Sequence, residues 1–276
     1  MKRTRILLLV TLLCVMGLLS LDAQISSMPD YIMKANFEAQ VKSLDEFINR
    51  YNGKETKPGI DNDQDSRARN VVSLFDFQMD KRGLSDEQFS ELLRSFVTTS
   101  VSEGFSLDPF SRGIISECLC LFKYNGKKYR FKVYFQREPY LNETYRWAIS
   151  AVSGLNESGI YDPLRFYRIS PIEHEIHFLG LDDIINANPS QSIGLRSREA
   201  KIDELSVFLA LALSGALKFE VVEHQSFYFL DVPGFMFKID EISRDDTNSG
   251  WLITELQPLP DKDKTSFIQK LFHNEK

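Results

Sequence analysis

The string in this chain that most suggests chemistry is Glu173-His174-Glu175-Ile176-His177. A zinc-protease helix carries His-Glu-x-x-His, so that two imidazoles four residues apart share one face and the glutamate serves as base. Here the histidines are three apart and residue 178 is Phe, so a third ligand would have to come from elsewhere. The reading is a solvent-facing helix and no metal site. His224 and His273 stand alone, before a turn and in a C-terminal amphipathic stretch. Glu255 is the better candidate for acid-base work. On a strand from Trp251 to Leu256 it shares a face with Trp251 and Ile253, and burial among apolar side chains would raise its pKa toward that of a general base. The alternative is a frayed strand end with Glu255 in water. Asp240 is a weaker version of the same idea. Trp147, Trp251, Tyr134 and Tyr228 are the aromatic side chains expected to line a ligand cavity, against the plain reading of half-buried packing. Cys118 and Cys120, at i and i+2 on a strand, read as two buried thiols with no disulfide between them. No G-x-S-x-G elbow, phosphate-binding loop or G-x-G-x-x-G fingerprint occurs, so no cofactor is expected.

The elements that must position these residues can be read from periodicity. Phe37, Val41, Leu44, Phe47, Ile48 and Tyr51 predict a helix over 36–52, capped by Asn36 and stopped at Gly53. The polar stretch Lys54 to Asn70 reads as a loop, followed by a short apolar segment at Val71–Phe75. Ser85 caps a second helix with the stripe Phe89, Leu92, Leu93, Phe96 and Val97. Asn125-Gly126 between two β-rich arms predicts a hairpin, and Thr144 to Val152 supplies a third strand. Ser170-Pro171-Ile172-Glu173 opens another helix. Asp203 to Ala216 is a longer one, and strands follow at Lys218–His224, Phe227–Asp240 and Trp251–Leu256. A last amphipathic helix contains Phe267, Ile268, Leu271 and Phe272.

This order occurs twice. Trp251 follows Trp147 by 104 residues, and at that single ungapped offset Phe131, Val133, Phe135, Ile149 and Val152 fall on Phe235, Phe237, Ile239, Ile253 and Leu256. Helices followed by an antiparallel meander define an α+β chain. The order of a long helix, a short element, a third helix and a bent sheet resembles the nuclear transport factor 2-like (cystatin-like) α+β cone. The likeness is carried by FEAQVKSLDEFINRYNG, RARNVVSLFDF, YRFKVYF and YRWAISAV, and more loosely by SPIEHEIHFLGLDDIIN, DELSVFLALAL, GFMFKID and WLITEL. It implies two tandem cone-shaped domains, over 25–160 and 165–276. The superfamily holds both enzymes and pure binding modules, so fold alone assigns no activity.

Residues 1–24 read as a secretory signal. MKRTR is basic, Ile6 to Leu21 is apolar, and small residues precede a cleavage point near Ala23 or Gln24. Cys14 lies inside the apolar run, so a lipid anchor is not expected. Removing Lys2, Arg3, Arg5 and Asp22 leaves 30 basic and 38 acidic residues, a formal charge of −8. That balance argues against nucleic acid as a partner, and no membrane span remains after cleavage. The helical run Val207 to Leu213 is apolar all round, which predicts cover on more than one side, by its own sheet together with the first domain or a homodimer partner around Leu211. The expectation is an exported protein, periplasmic or at the cell surface. It would bind a small apolar ligand, a glycan or a protein without catalysis. The alternatives are an isomerase- or hydrolase-like enzyme with Glu255 as base, and a structural module of an envelope assembly.

Overall fold

The computed structural model describes residues 41, 43–54, 64–102, 105–141, 144–160, 197, 199, 202–244 and 249–273. The signal-like segment, Asn36, Phe37, His174, His177 and the helix expected from Ser170 lie outside the described residues.

The first described helix, α1 (Leu44–Tyr51), starts at Ser43, whose Oγ accepts from the Glu46 N–H at 3.1 Å. It therefore begins later than the periodicity from Asn36 suggests. Val41 cannot be helical because the segment around Gly250 uses both its backbone groups: its N–H donates to the Ser249 carbonyl, and its carbonyl accepts from the Trp251 N–H at 2.9 Å. Next comes α2 (Gln64–Ser73), which starts in the stretch read as a loop and runs into the apolar segment after it. It has no strong apolar stripe. Its anchor is Arg67, which donates to the carbonyls of Ser100 and Phe105, each at 2.9 Å, and to that of Tyr51 at 3.3 Å. One guanidinium thus satisfies carbonyls at the ends of two other helices, a role no periodicity reveals. The third helix, α3 (Asp86–Ser100), has the cap expected of Ser85, and Gln88 at the reciprocal position completes a capping box.

Two meanders follow. β1 (Ile114–Tyr124) and β2 (Lys127–Pro139) join through Asn125 and Gly126, both at positive φ as a tight hairpin turn needs, and β3 (Tyr145–Ser153) completes the first. After a turn of helix, α4 (Leu155–Ser158), comes α5 (Glu204–Leu213). Then come β4 (Leu217–Phe229), β5 (Phe235–Ile242), β6 (Gly250–Pro258) and α6 (Lys264–Phe272). The strands make one antiparallel sheet in the order β3-β2-β1-β4-β5-β6. The protein is α+β, and its two meanders meet edge to edge through β1 and β4.

Cross-strand pairing repeats with the sequence. Every pair from Lys132 opposite Ser153 to Glu138 opposite Arg146 recurs 104 residues later, from Met236 opposite Gln257 to Ile242 opposite Gly250. The irregularity recurs as well. Ser150 is bulged out between Ile149 and Ala151, and Thr254 between Ile253 and Glu255. A bulge kept at one place in both halves is a built feature of the unit.

The helices pack crosswise. Phe47, Tyr51, Val71 and Phe96 of the N-terminal helices, with Leu74 just after α2, bury against Phe229, Phe237, Ile239, Ile253 and Leu256 of the second meander. Val207, Phe208 and Leu211 of α5 bury mainly against Phe122, Phe131, Val133 and Val152 of the first. Glu204 ties α5 to the end of β3 by accepting the Leu155 N–H at 2.6 Å. The first meander, one of the covers expected for α5, is thus the surface it packs on. Leu211, expected at a partner contact, is only 4% exposed and turned into the chain's own core, and cover on a second side is not met at Leu213, which is 91% exposed. On the opposite sheet face, α6 covers Ile115, Tyr134, Tyr228 and Met236.

Candidate ligand-binding cleft

The four aromatic residues marked in the sequence separate into three places. Trp251 is buried at 7% exposure in the core beneath α1, whereas Trp147 is 37% exposed. The two tryptophans flank Phe227, with ring centroids 6.0 Å and 5.1 Å from it. Tyr134 and Tyr228 lie on the opposite face under α6, against Phe272 and Phe267, and take no part in the same site.

Trp147 opens onto a cleft of about 490 Å3 between α1 and the outer ends of β2 and β3. Its walls are Asp45, Ile48 and Asn49 of α1, the Pro109–Phe110 turn, and Arg137, Tyr145, Arg146 and Trp147 of the strands. Each wall is fixed locally. Asn52 exchanges two hydrogen bonds with the backbone of Leu107, at 2.9 and 2.8 Å, and the Asp108 carboxylate accepts from the Phe110 N–H at 2.9 Å. That turn puts the Phe110 ring 4.7 Å from Tyr145 in a stacked arrangement. Arg137 is the cross-strand partner of Trp147, and its guanidinium lies 4.6 Å from the indole centre and 6.0 Å from Phe110. Burial pushes the Arg137 pKa down, and the nearby carboxylates of Asp45 and Asp108 oppose this. Neither makes an ion pair with it. Arg146, by contrast, is committed to Glu138 at 2.6 Å.

Arg137, Phe110 and Tyr145 were not among the residues singled out in the sequence. Arg137 becomes a site residue only through the β2–β3 register, and Phe110 only through the path of a turn. A possible signal was the alternation Phe131, Val133, Phe135, which puts Arg137 next on the same face.

Glu255 lies elsewhere. The Thr254 bulge reverses the alternation, so Glu255 pairs with Lys238 on the α6 side, while Trp251 and Ile253 face α1 to α3. The assumed shared face is thus corrected. Burial raises the Glu255 pKa, opposed by Arg82 and Lys238, and its carboxylate ends in an ion pair with Arg82 at 2.7 Å. Asp240 sits beside it, 8% exposed. Burial pushes that carboxyl up, but hydrogen bonds from Ser226 and Thr254, with the Lys238 ammonium at 3.1 Å and His224 at 2.9 Å, leave it below the usual range. Ser226, His224 and Asp240 are not a nucleophilic triad. A triad needs the acid and the serine on opposite imidazole nitrogens, whereas here both meet Nε2 and Ser226 is fully buried. Cys118 and Cys120 are free and buried, and burial raises both thiols, Cys120 to about 11. They behave as small apolar residues.

Comparisons with protein-family models, curated proteins and solved structures find no match to this chain. Among the described residues no helix is long and apolar enough to cross a membrane, and no group of His, Cys, Asp and Glu is placed to hold a metal ion.

Proposed function

We propose that this chain is a non-catalytic binding protein that takes a small molecule or glycan in the cleft of Trp147, Phe110, Tyr145 and Arg137. One observation carries the reading. In a fold whose three cores are filled with aromatic and aliphatic side chains, a half-exposed tryptophan is left on the wall of an open, ligand-sized cleft. Small-ligand sites occupy roughly 300–1,000 Å3, with apolar walls and a few placed polar groups. The catalytic alternative has less support. Glu255 is spanned by Arg82, and the Asp240 carboxylate is consumed by internal hydrogen bonds.

The basic start and apolar run of residues 1–24 support an exported, periplasmic or surface location. The repeated pairing, bulge included, supports descent of the two halves from one helix-plus-meander unit of the nuclear transport factor 2-like kind, here interlocked through crosswise helices.

Fluorescence tests the binding reading, because the two tryptophans differ in exposure. Titration with a panel of oligosaccharides and small aromatic acids is expected to change Trp147 emission, and Trp147→Phe is expected to abolish the response while Trp251 still reports a folded core. A response that survives in Trp147→Phe, or a panel without any binder, overturns the proposal.

A further inference from the structure

The cleft contains an arginine that makes no ion pair among the described residues, although Asp45 and Asp108 lie near it. Arg82, Arg130, Arg146 and Arg244 each meet a carboxylate, at 2.7, 2.7, 2.6 and 2.7 Å. Arg137 meets none among the described residues, although acidic residues outnumber basic ones 39 to 33 in the chain. Its guanidinium is flanked by the Trp147 and Phe110 rings, and no hydrogen bond from it is made to an acceptor among the described residues. A half-buried cation that has lost hydration without gaining a counter-ion carries a free-energy cost, which an anionic ligand would remove. Stacking on an indole also holds the fork rigid, which suits bidentate reception of a carboxylate. Lys54 adds a second positive group to the wall, while Asp45 also lines it and Asp108 lies near Arg137.

The rest of the lining narrows the ligand. The exposed indole and the stacked Phe110–Tyr145 pair offer flat apolar surfaces, and Asn49 and Asp45 offer an amide and a carboxylate on the facing helix. Aromatic platforms flanked by amide and carboxylate groups match a sugar ring, which has an apolar C–H face and a rim of hydroxyls.

We infer that the cleft selects an acidic saccharide, whose ring lies on the aromatic wall and whose carboxylate is received by Arg137. This rests on the binding reading above and adds the ligand class and the residue that sets it.

The test is calorimetric titration of the full chain, and of Arg137→Gln, with trigalacturonate and with its uncharged methyl ester. The acid is expected to bind the natural chain about tenfold or more tightly than the ester, the contribution of a charge-assisted hydrogen bond. Arg137→Gln is expected to bind both equally, near the affinity of the ester, with an unchanged Tm. Raising the salt concentration should weaken only the acid. Equal binding of acid and ester to the natural chain overturns the anionic class while leaving the cleft in place. A preference that persists in Arg137→Gln overturns the role of Arg137. If neither probe binds, the saccharide inference falls, and the tryptophan titration with the wider panel decides separately whether the cleft is a site.

Discussion

Tyr51 and Tyr134 are both fully buried, yet their hydroxyls have opposite fortunes. Tyr51 donates to the Ser100 Oγ at 2.6 Å, deep between α1 and α3. The Tyr134 hydroxyl lies near Glu117 and Ser153, but makes no well-formed hydrogen bond among the described residues. Burial raises both phenols, so neither ionises near neutral pH. A buried polar group with a partner contributes about 1 kcal/mol, whereas one without a partner costs free energy of similar size. The same chemical change should therefore act with opposite sign at the two positions. Tyr51→Phe is expected to destabilise by about 1 kcal/mol, and Tyr134→Phe to be neutral or to stabilise by up to about 1 kcal/mol. Urea melts of the two variants check this, and a clear loss at Tyr134 would reveal a partner for its hydroxyl. The tyrosines could be marked as polar aromatics from the sequence, but whether a hydroxyl finds an acceptor depends on neighbours far along the chain.

At the scale of elements, α5 and the two bulges show where pattern reading succeeds and where it stops. The helix at Asp203 was legible from its cap and composition. Its bearing was not, because ELSVFLALAL offers apolar side chains in every direction and so names no buried face. The structure chooses Val207, Phe208 and Leu211. Leu211→Ala is expected to cost about 2–4 kcal/mol through lost burial and a cavity, while Leu213→Lys, on the exposed side, should change stability by no more than about 0.5 kcal/mol. Guanidinium unfolding measures both, and a large loss at Leu213 would show that a second surface covers it. The bulges work the other way. A strand read with strict alternation puts Glu255 beside Ile253, but one inserted residue, Thr254, sends it to the far face. Bulges carry no residue signature strong enough to be read in advance, so the face of Glu255 was not legible.

For the whole molecule, crosswise packing is the decisive fact. If each half were an autonomous unit, a chain cut between residues 160 and 165 would give two folded pieces. Instead the N-terminal helices bury apolar side chains on β4 to β6, α5 buries Val207, Phe208 and Leu211 mainly on the first meander, and β1 hydrogen-bonds to β4 along its length. Separate fragments 25–160 and 165–276 are expected to lack cooperative unfolding and near-ultraviolet dichroism, and mixing them should restore both. The intact chain should unfold in one transition. An isolated 25–160 fragment that melts cooperatively would show that the first meander needs no partner.

By itself the sequence determined the α+β class, the Asn125-Gly126 hairpin, the Ser85 cap and the 104-residue echo. All of these are encoded within a few residues or by simple periods, so local chemistry suffices to read them. Tertiary structure alone decided which helices cover which strands, that both meanders share one sheet, and that Arg137, Trp147, Phe110 and Asn49 meet around one cleft. Those facts join residues up to 100 positions or more apart, by packing and register. An apolar stripe specifies that it must be buried, and leaves open against what.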